Sequence, residues 1–231
     1  MRWRTGILRA LEVRRLGLVP YEEALALQRS LVEERRAGRI DDVLLLLEHP
    51  PVLTVGVRGD GGRSHILASS EELTARGIAV HETGRGGDVT YHGPGQVVGY
   101  PILDLSPHRR DVHRYVRDLE EVLIRVAADF GVVAGRVEGL TGVWVGDEKL
   151  AAIGVRIARW VTSHGFAFNV NTELDDFNLI VPCGIADRGV TSLARLLGRP
   201  VDIDSVEDRI TVRFGELFAI ESPRSSTVAT S

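Results

Sequence analysis

The chain of 231 residues has one cysteine, one lysine and one methionine, and few aromatics, 6% of the total. A single thiol, Cys183, excludes an internal disulfide framework and any cysteine-based zinc finger. No apolar run approaches the ~20 residues that span a bilayer, and Met1-Arg2-Trp3-Arg4 leads into charged, alternating sequence without the apolar core of a signal peptide. The expectation is therefore a cytoplasmic protein with no membrane association. Twenty-eight basic residues against 32 acidic ones leave a net charge of −4, so no global signal points to nucleic acid. No HExxH or other metal-ligand spacing is found, and neither a metal nor a cofactor is expected. All basic residues except Lys149 are arginine. Where arginine substitutes so freely, a surviving lysine suggests a role that needs an amine able to lose its proton.

What remains has the composition of a globular domain, 44% hydrophobic and 26% charged. Pro20 opens a helix in which Ala24, Leu27, Leu31 and Val32 recur at helical spacing until Gly38 stops it. The apolar run 42–48 (DVLLLLE) predicts a strand buried on both faces, with 52–57 as its neighbour. Residues 58–68 read as a loop, 70–76 as a short helix, 78–81 and 96–103 as strands. The periodicity of Val116, Leu119, Val122, Leu123, Val126 and Phe130 predicts a long helix over 111–130. Short strands fill 142–171, helices follow at 190–197 and 204–218, and a polar tail with no expected order runs from Ser222. With no repeat and no dividing linker, the expectation is a single α/β (α+β) domain, 1–221, with a mixed sheet and flanking helices.

Arg85-Gly86-Gly87-Asp88-Val89-Thr90-Tyr91-His92-Gly93-Pro94-Gly95-Gln96 is the densest turn-forming stretch. Its glycines let a backbone approach a ligand closely, although the same residues also serve a plain hairpin connection. It matches neither the GxxxxGK[ST] nor the GxGxxG phosphate loop. Cys183 sits between Pro182 and Gly184. A lone cysteine is commonly a small buried hydrophobe, but flanking bend residues suit an exposed thiol, which as a nucleophile needs a base or cation nearby. Arg110, Arg114 and Arg117, with Arg109 and His113 alongside, form one helical stripe. Such a stripe is either a solvated face or a docking site for an acidic partner.

Taken together these blocks resemble the octanoyltransferases of lipoate biosynthesis. The resemblance rests on Glu48-His49-Pro50, RGGDVTYHGPGQ at 85–96, GVW at 142–144, KLAAIGV at 149–155, HGFAFN at 164–169, and PCGI at 182–185 followed by Thr191-Ser192-Leu193, in family order over about 40–220. It implies the catalytic-domain fold shared with biotin and lipoate protein ligases. It also implies transfer of an octanoyl group from octanoyl-acyl carrier protein to a lysine of a lipoyl domain, in E2 subunits of 2-oxoacid dehydrogenases or the glycine-cleavage H protein. In this resemblance Cys183 matches the thioester nucleophile and Lys149 the residue that lowers its pKa. The substrate-contacting segments match Arg85, Gly86, Gly87, Asp88, Val89, Thr90, Tyr91 and His92, then Ala152, Ile153 and Gly154, then Gly165, Phe166 and Ala167. Lining for the acyl chain is expected from Ala151, Ala152, Ile153, Phe166 and Ala167. Two rivals are an ATP-dependent lipoate or biotin ligase, which needs no cysteine, and a non-catalytic binder of lipoyl domains, which needs neither Cys183 nor Lys149.

Overall fold

The computed structural model describes residues 9–57, 63–106, 110–181, 188–218 and 220–227. Cys183 and its neighbours Pro182, Gly184 and Ile185 lie outside the described residues, as does Arg109.

The described residues form an eight-stranded mixed sheet, a three-stranded sheet beside it, and helices on both faces of the larger one. In chain order they are β1 (Arg9–Leu18), α1 (Tyr21–Arg36), β2 (Asp42–Glu48), β3 (Val52–Val55), α2 (Ser70–Ala75), β4 (Ala79–Glu82), β5 (Thr90–His92) and β6 (Gln96–Ile102). Then follow α3 (Val112–Asp129), β7 (Gly135–Val137), β8 (Leu140–Val145), β9 (Glu148–Ala158), β10 (Val161–Asn169), α4 (Leu193–Leu197), α5 (Ile203–Phe218) and β11 (Ile220–Thr227). The large sheet runs β11-β1-β2-β6-β10-β9-β8-β7 and the small one β4-β3-β5. β1 pairs in parallel with β2 and β11, whereas β2–β6, β6–β10, β10–β9 and β9–β8 are antiparallel.

The apolar run of β2 is continuous because both of its faces are covered. Leu44 and Leu46 enter the core beneath α3 and α5, while Val43, Leu45 and Leu47 enter the core beneath α1. The stripe of α3 is buried as its spacing requires. Asp111 caps that helix by accepting from the Arg114 N–H, and Gly131 leaves it with φ +81°. A third core, holding Leu53, Val89, Tyr91, Phe177 and Leu179, underlies the small sheet.

Four sequence expectations are corrected. The strand expected beside 42–48 is β3, which pairs with β4 and β5 in the small sheet, while β2 lies between β1 and β6. Residues 90–92, placed in the turn-rich loop, form β5 and pair antiparallel with β3, their side chains buried. The helix expected from Val190 begins only at Leu193, with Ser192 as its cap, because Val190 and Thr191 are drawn into a bridge with Lys149. The tail expected from Ser222 is instead largely strand. Residues 220–227 add to the free edge of β1, where backbone groups alone supply the pairing and a polar sequence is no obstacle.

Candidate active site

β9 and β10 pair so that Ala152 faces Ala167 and Gly154 faces Gly165. Four of the smallest residues thus adjoin on one surface, and the space above them is a cleft. The loop between β4 and β5 roofs it. The Gly86 N–H donates to the Val155 carbonyl at 2.9 Å, so the loop backbone rests on β9. A methyl group on Gly154 would lie only 2.9 Å from the Gly86 carbonyl oxygen, which is why glycine occupies that position. Gly56 meets Gly87 in the same way.

Arg85 anchors the roof. Its Nη2 donates to the Thr54 carbonyl at 2.6 Å and to Thr54 Oγ1 at 2.9 Å, and its Nη1 donates to the Gly86 carbonyl at 3.1 Å. Much of the guanidinium's donor capacity is therefore spent on holding the loop. Asp88 accepts from the Val89 N–H at 2.6 Å and lies 2.9 Å from His65 Nδ1.

Of the residues matched to the substrate segments, Arg85, Gly87, Asp88, Val89, Thr90, His92, Ala152, Ile153, Gly154, Gly165, Phe166 and Ala167 line the cleft. Gly86 contributes backbone above β9. Tyr91 alternates to the opposite side of β5, where its ring packs on Phe177 and its hydroxyl donates to Asp176 at 2.8 Å. Ala151, expected along the acyl chain, enters the core under α3 instead, as strand alternation from Ala152 dictates, and the side chains of Ile153 and Phe166, also expected there, pack against that same core. The cleft also takes Tyr21, Val98 and Tyr100, which sequence reasoning did not select, and His164, which the sequence offers among seven histidines able to serve the thiol as a base. His164 stands in the quoted block HGFAFN, whereas Tyr21 and Tyr100 carry no sequence signal.

A directed chain of hydrogen bonds underlies the cleft. The Gln96 amide nitrogen donates to Asn169 Oδ1 at 2.9 Å and to the Tyr91 carbonyl at 3.3 Å, so Gln96 Oε1 accepts from His92 Nδ1 at 2.7 Å. His92 Nε2 then accepts from the Thr54 hydroxyl at 3.2 Å. At the other end the Asn169 amide donates to the Thr191 carbonyl at 3.0 Å, and the Thr191 N–H donates to the Lys149 carbonyl at 3.0 Å. His49 gives Nδ1–H to the Val19 carbonyl and takes the Tyr100 hydroxyl at Nε2, both at 2.7 Å.

Burial keeps these imidazoles neutral, reinforced by neighbouring positive charge at His92 and His164 and opposed at His49 by the Val19 carbonyl. Desolvation is the largest cause in each case: it lowers the pKa of His49 to about 4 and that of His92 to about 3. His164 falls to about 4, with Arg85, Arg156 and Arg29 adding to the effect. Apart from Arg85 and Asp88, which are engaged with the loop and its neighbours, the trough is floored by alanine and glycine and walled by neutral imidazoles, which suits an apolar ligand.

Lys149 lies at one end. A small chamber lined by Lys149, Gln96, Asn169, Phe177 and Val190 shares Thr90, Ala152 and Ala167 with the cleft and so adjoins it. Lys149 is 6% exposed, and its Nζ stands 4.7 Å from the centroid of the Trp144 ring. Its backbone is held on both sides, the N–H donating to the Gly189 carbonyl at 2.9 Å and the carbonyl accepting from Thr191. The arginine stripe on α3 is partly committed elsewhere. Arg117 and Arg136 both donate to fully buried Glu120, which also accepts from the Gly142 N–H, and Arg110 lies 5.8 Å from the Trp160 ring. Among the described residues no group of three or more His, Cys, Asp or Glu side chains is arranged to hold a metal ion, and no helix is long and apolar enough to cross a membrane.

A mixed sheet carrying a roofed apolar trough that ends at a buried lysine defines a class of protein. The chain belongs to the family of the lipoyl protein ligase A/B catalytic domain, whose model it matches over residues 20–215. Among its relatives is an octanoyltransferase of Chloroflexus aurantiacus, 53% identical over 225 residues, covering 96% of this chain and all of that one. An octanoyltransferase of Myxococcus xanthus is 52% identical over 220 residues, 93% of this chain, which spans 61% of that longer protein. Kinship of this degree makes the chain an acyltransferase enzyme. Among solved structures, a bi-partite lipoate protein ligase from Thermoplasma acidophilum superposes with a TM-score of 0.67 at 19% identity, over 95% of this chain and 88% of that one. A biotin protein ligase from Aquifex aeolicus gives 0.52 at 13%, over 90% and 70%. These two show the shared fold.

Proposed function

We propose that this enzyme transfers an octanoyl group from octanoyl-acyl carrier protein, through a thioester on Cys183, to a lysine side chain of a lipoyl domain. The acceptors are the E2 subunits of 2-oxoacid dehydrogenases and the glycine-cleavage H protein, and the reaction takes place in the cytoplasm without a cofactor. The observation that carries this reading is the neutral trough of Ala152, Gly154, Gly165 and Ala167 adjoining the chamber of Lys149. Arg85 to Thr90 and His92 roof and flank the acyl chain in this reading, over the floor of Ala152, Gly154, Gly165 and Ala167.

In the first step the Cys183 thiolate attacks the carbonyl carbon of the donor thioester. The carrier thiolate leaves and takes a proton, and because one thioester replaces another, no ATP is consumed. In the second step a neutral acceptor amine attacks the enzyme thioester, the Cys183 sulfur departs, and the amine's surplus proton is removed to leave an amide. Lys149 serves both steps: as ammonium it stabilises the thiolate, and as amine it takes up a proton. Support for the pairing comes from Gly189, six residues after Cys183, whose carbonyl holds the Lys149 N–H. Backbone N–H groups near Cys183 and along 165–167 are assigned to the oxyanion.

The test is the intact mass of the protein after mixing with octanoyl-acyl carrier protein and no acceptor. One octanoyl adduct, removed by hydroxylamine and absent from Cys183→Ala, is expected. The fold neighbours include ATP-using ligases, so free octanoate with ATP is the companion substrate. Turnover of that pair alone would assign the chain to the ligases.

A further inference from the structure

The trough continues past the acyl site proposed above. Beyond Gly154 the next residues on that face of β9, Arg156 and Ala158, line a second hollow together with Gln28, Arg29 and Val32 of α1. The character of the lining changes at this boundary. Alanine, glycine, buried neutral histidine and the buried, hydrogen-bonded Arg85 give way to the exposed Arg29 and Arg156. The two hollows have one lining residue in common, His164.

His164 is held there in an unusual way. It sits within a strand, opposite Val155, yet its φ is +54°, a left-handed conformation that a residue with a side chain adopts at an energetic cost. The buried Gln28 side chain holds this geometry, its Oε1 accepting the His164 N–H at 2.8 Å. The ring stands edge-on to Tyr100, 6.4 Å between centroids, and forms no hydrogen bond among the described residues. It fills the end of the trough.

We propose that His164 is the end wall of the acyl trough and sets the longest chain that the enzyme accepts. The dimensions agree with a medium-length chain. Ala152, where the Lys149 chamber meets the cleft, is three residues from Val155, the partner of His164, or ~10 Å at the rise of a strand. An extended alkyl chain advances roughly 1.3 Å per ~1.5 Å carbon–carbon bond, so that span holds about eight carbons. A longer chain meets the imidazole, and past it two arginines whose hydration shells an alkyl end would displace. This inference rests on the acyl reading of the cleft.

The test compares acyl-carrier thioesters of 6, 8, 10, 12 and 14 carbons on wild type and on His164→Gly, which keeps the left-handed backbone without strain. Wild type is expected to lose at least ten-fold in kcat/KM between 8 and 12 carbons. In His164→Gly the ratio of the 12-carbon to the 8-carbon rate should rise at least ten-fold, and His164→Asn, a shorter side chain tolerant of positive φ, should lie between. Equilibrium binding of free octanoate and dodecanoate to the same variants supplies the comparison without turnover. Length profiles that run parallel in wild type and folded His164→Gly, in rates or in binding, would overturn the proposal. An inactive wild type whose binding profile still shifts would overturn octanoyl transfer and leave the wall standing.

Discussion

Lowering the pH from 7.5 to 5 forces the unfolded chain and the native protein apart at three imidazoles. His49, His92 and His164 have folded pKa values near 4, 3 and 4, against about 6.5 in an unfolded chain. Over this range the unfolded state therefore binds protons that the native state refuses. The stability these groups contribute is complete above about pH 6.5 and is lost as the pH falls towards 4. At ~1.36 kcal/mol per pKa unit, each costs roughly 2 kcal/mol by pH 5, about 6 kcal/mol in all. Buried Glu207 opposes this. Desolvation raises its pKa to about 7 against attraction from Arg15, so it takes up a proton on acidification and returns roughly 2 kcal/mol. The net loss of about 3–4 kcal/mol compares with a total stability of ~5–15 kcal/mol for a typical domain and corresponds to a fall in Tm of ~10 °C. Urea denaturation and calorimetry at pH 7.5 and 5 measure it, and imidazole NMR titrations identify the groups. A Tm that holds or rises on acidification, or three imidazoles titrating near 6.5, would refute the reasoning.

Lys149→Arg keeps the charge but cannot accept a proton, and it forces a larger head into the chamber beside Trp144. Transfer to the acceptor should fall by ~10²–10⁴-fold in single-turnover kinetics, with acyl-enzyme formation affected less. Gly154→Ala sets a methyl group 2.9 Å from the Gly86 carbonyl and should lift the roof, raising KM about ten-fold and costing ~1–3 kcal/mol in a urea melt. Glu120→Ala strips the buried Gly142 N–H of its acceptor and leaves Arg117 and Arg136 without their shared partner. Because both arginines reach solvent, a loss of ~2–3 kcal/mol is expected, read from denaturant midpoints.

The elements were legible in the sequence wherever side-chain spacing alone specifies them. The run 42–48 is apolar on both faces because both are covered, and it became β2 with the expected bounds. The 111–130 stripe became α3, with Asp111 and Gly131 as its stop signals. Ala152, Gly154, Gly165 and Ala167 of the trough were legible only through the family resemblance carried by the blocks KLAAIGV and HGFAFN. Convergence was not legible. Tyr21 opens a helix, Tyr100 lies mid-strand and His164 turns against the pleat, yet all three meet at one cleft. Nothing in their local spacing encodes that meeting, which depends on α1 crossing β6 and β10. The use of charge was equally a tertiary matter. Arg85 spends donors on Thr54, and Arg136 on Glu120, because those acceptors are brought alongside only by packing. The polar segment 220–227 likewise pairs with β1 because a sheet edge, rather than its own side chains, supplies the hydrogen bonds. Side-chain periodicity set which segments would be helix or strand, and the crossing of those segments decided which residues share the site.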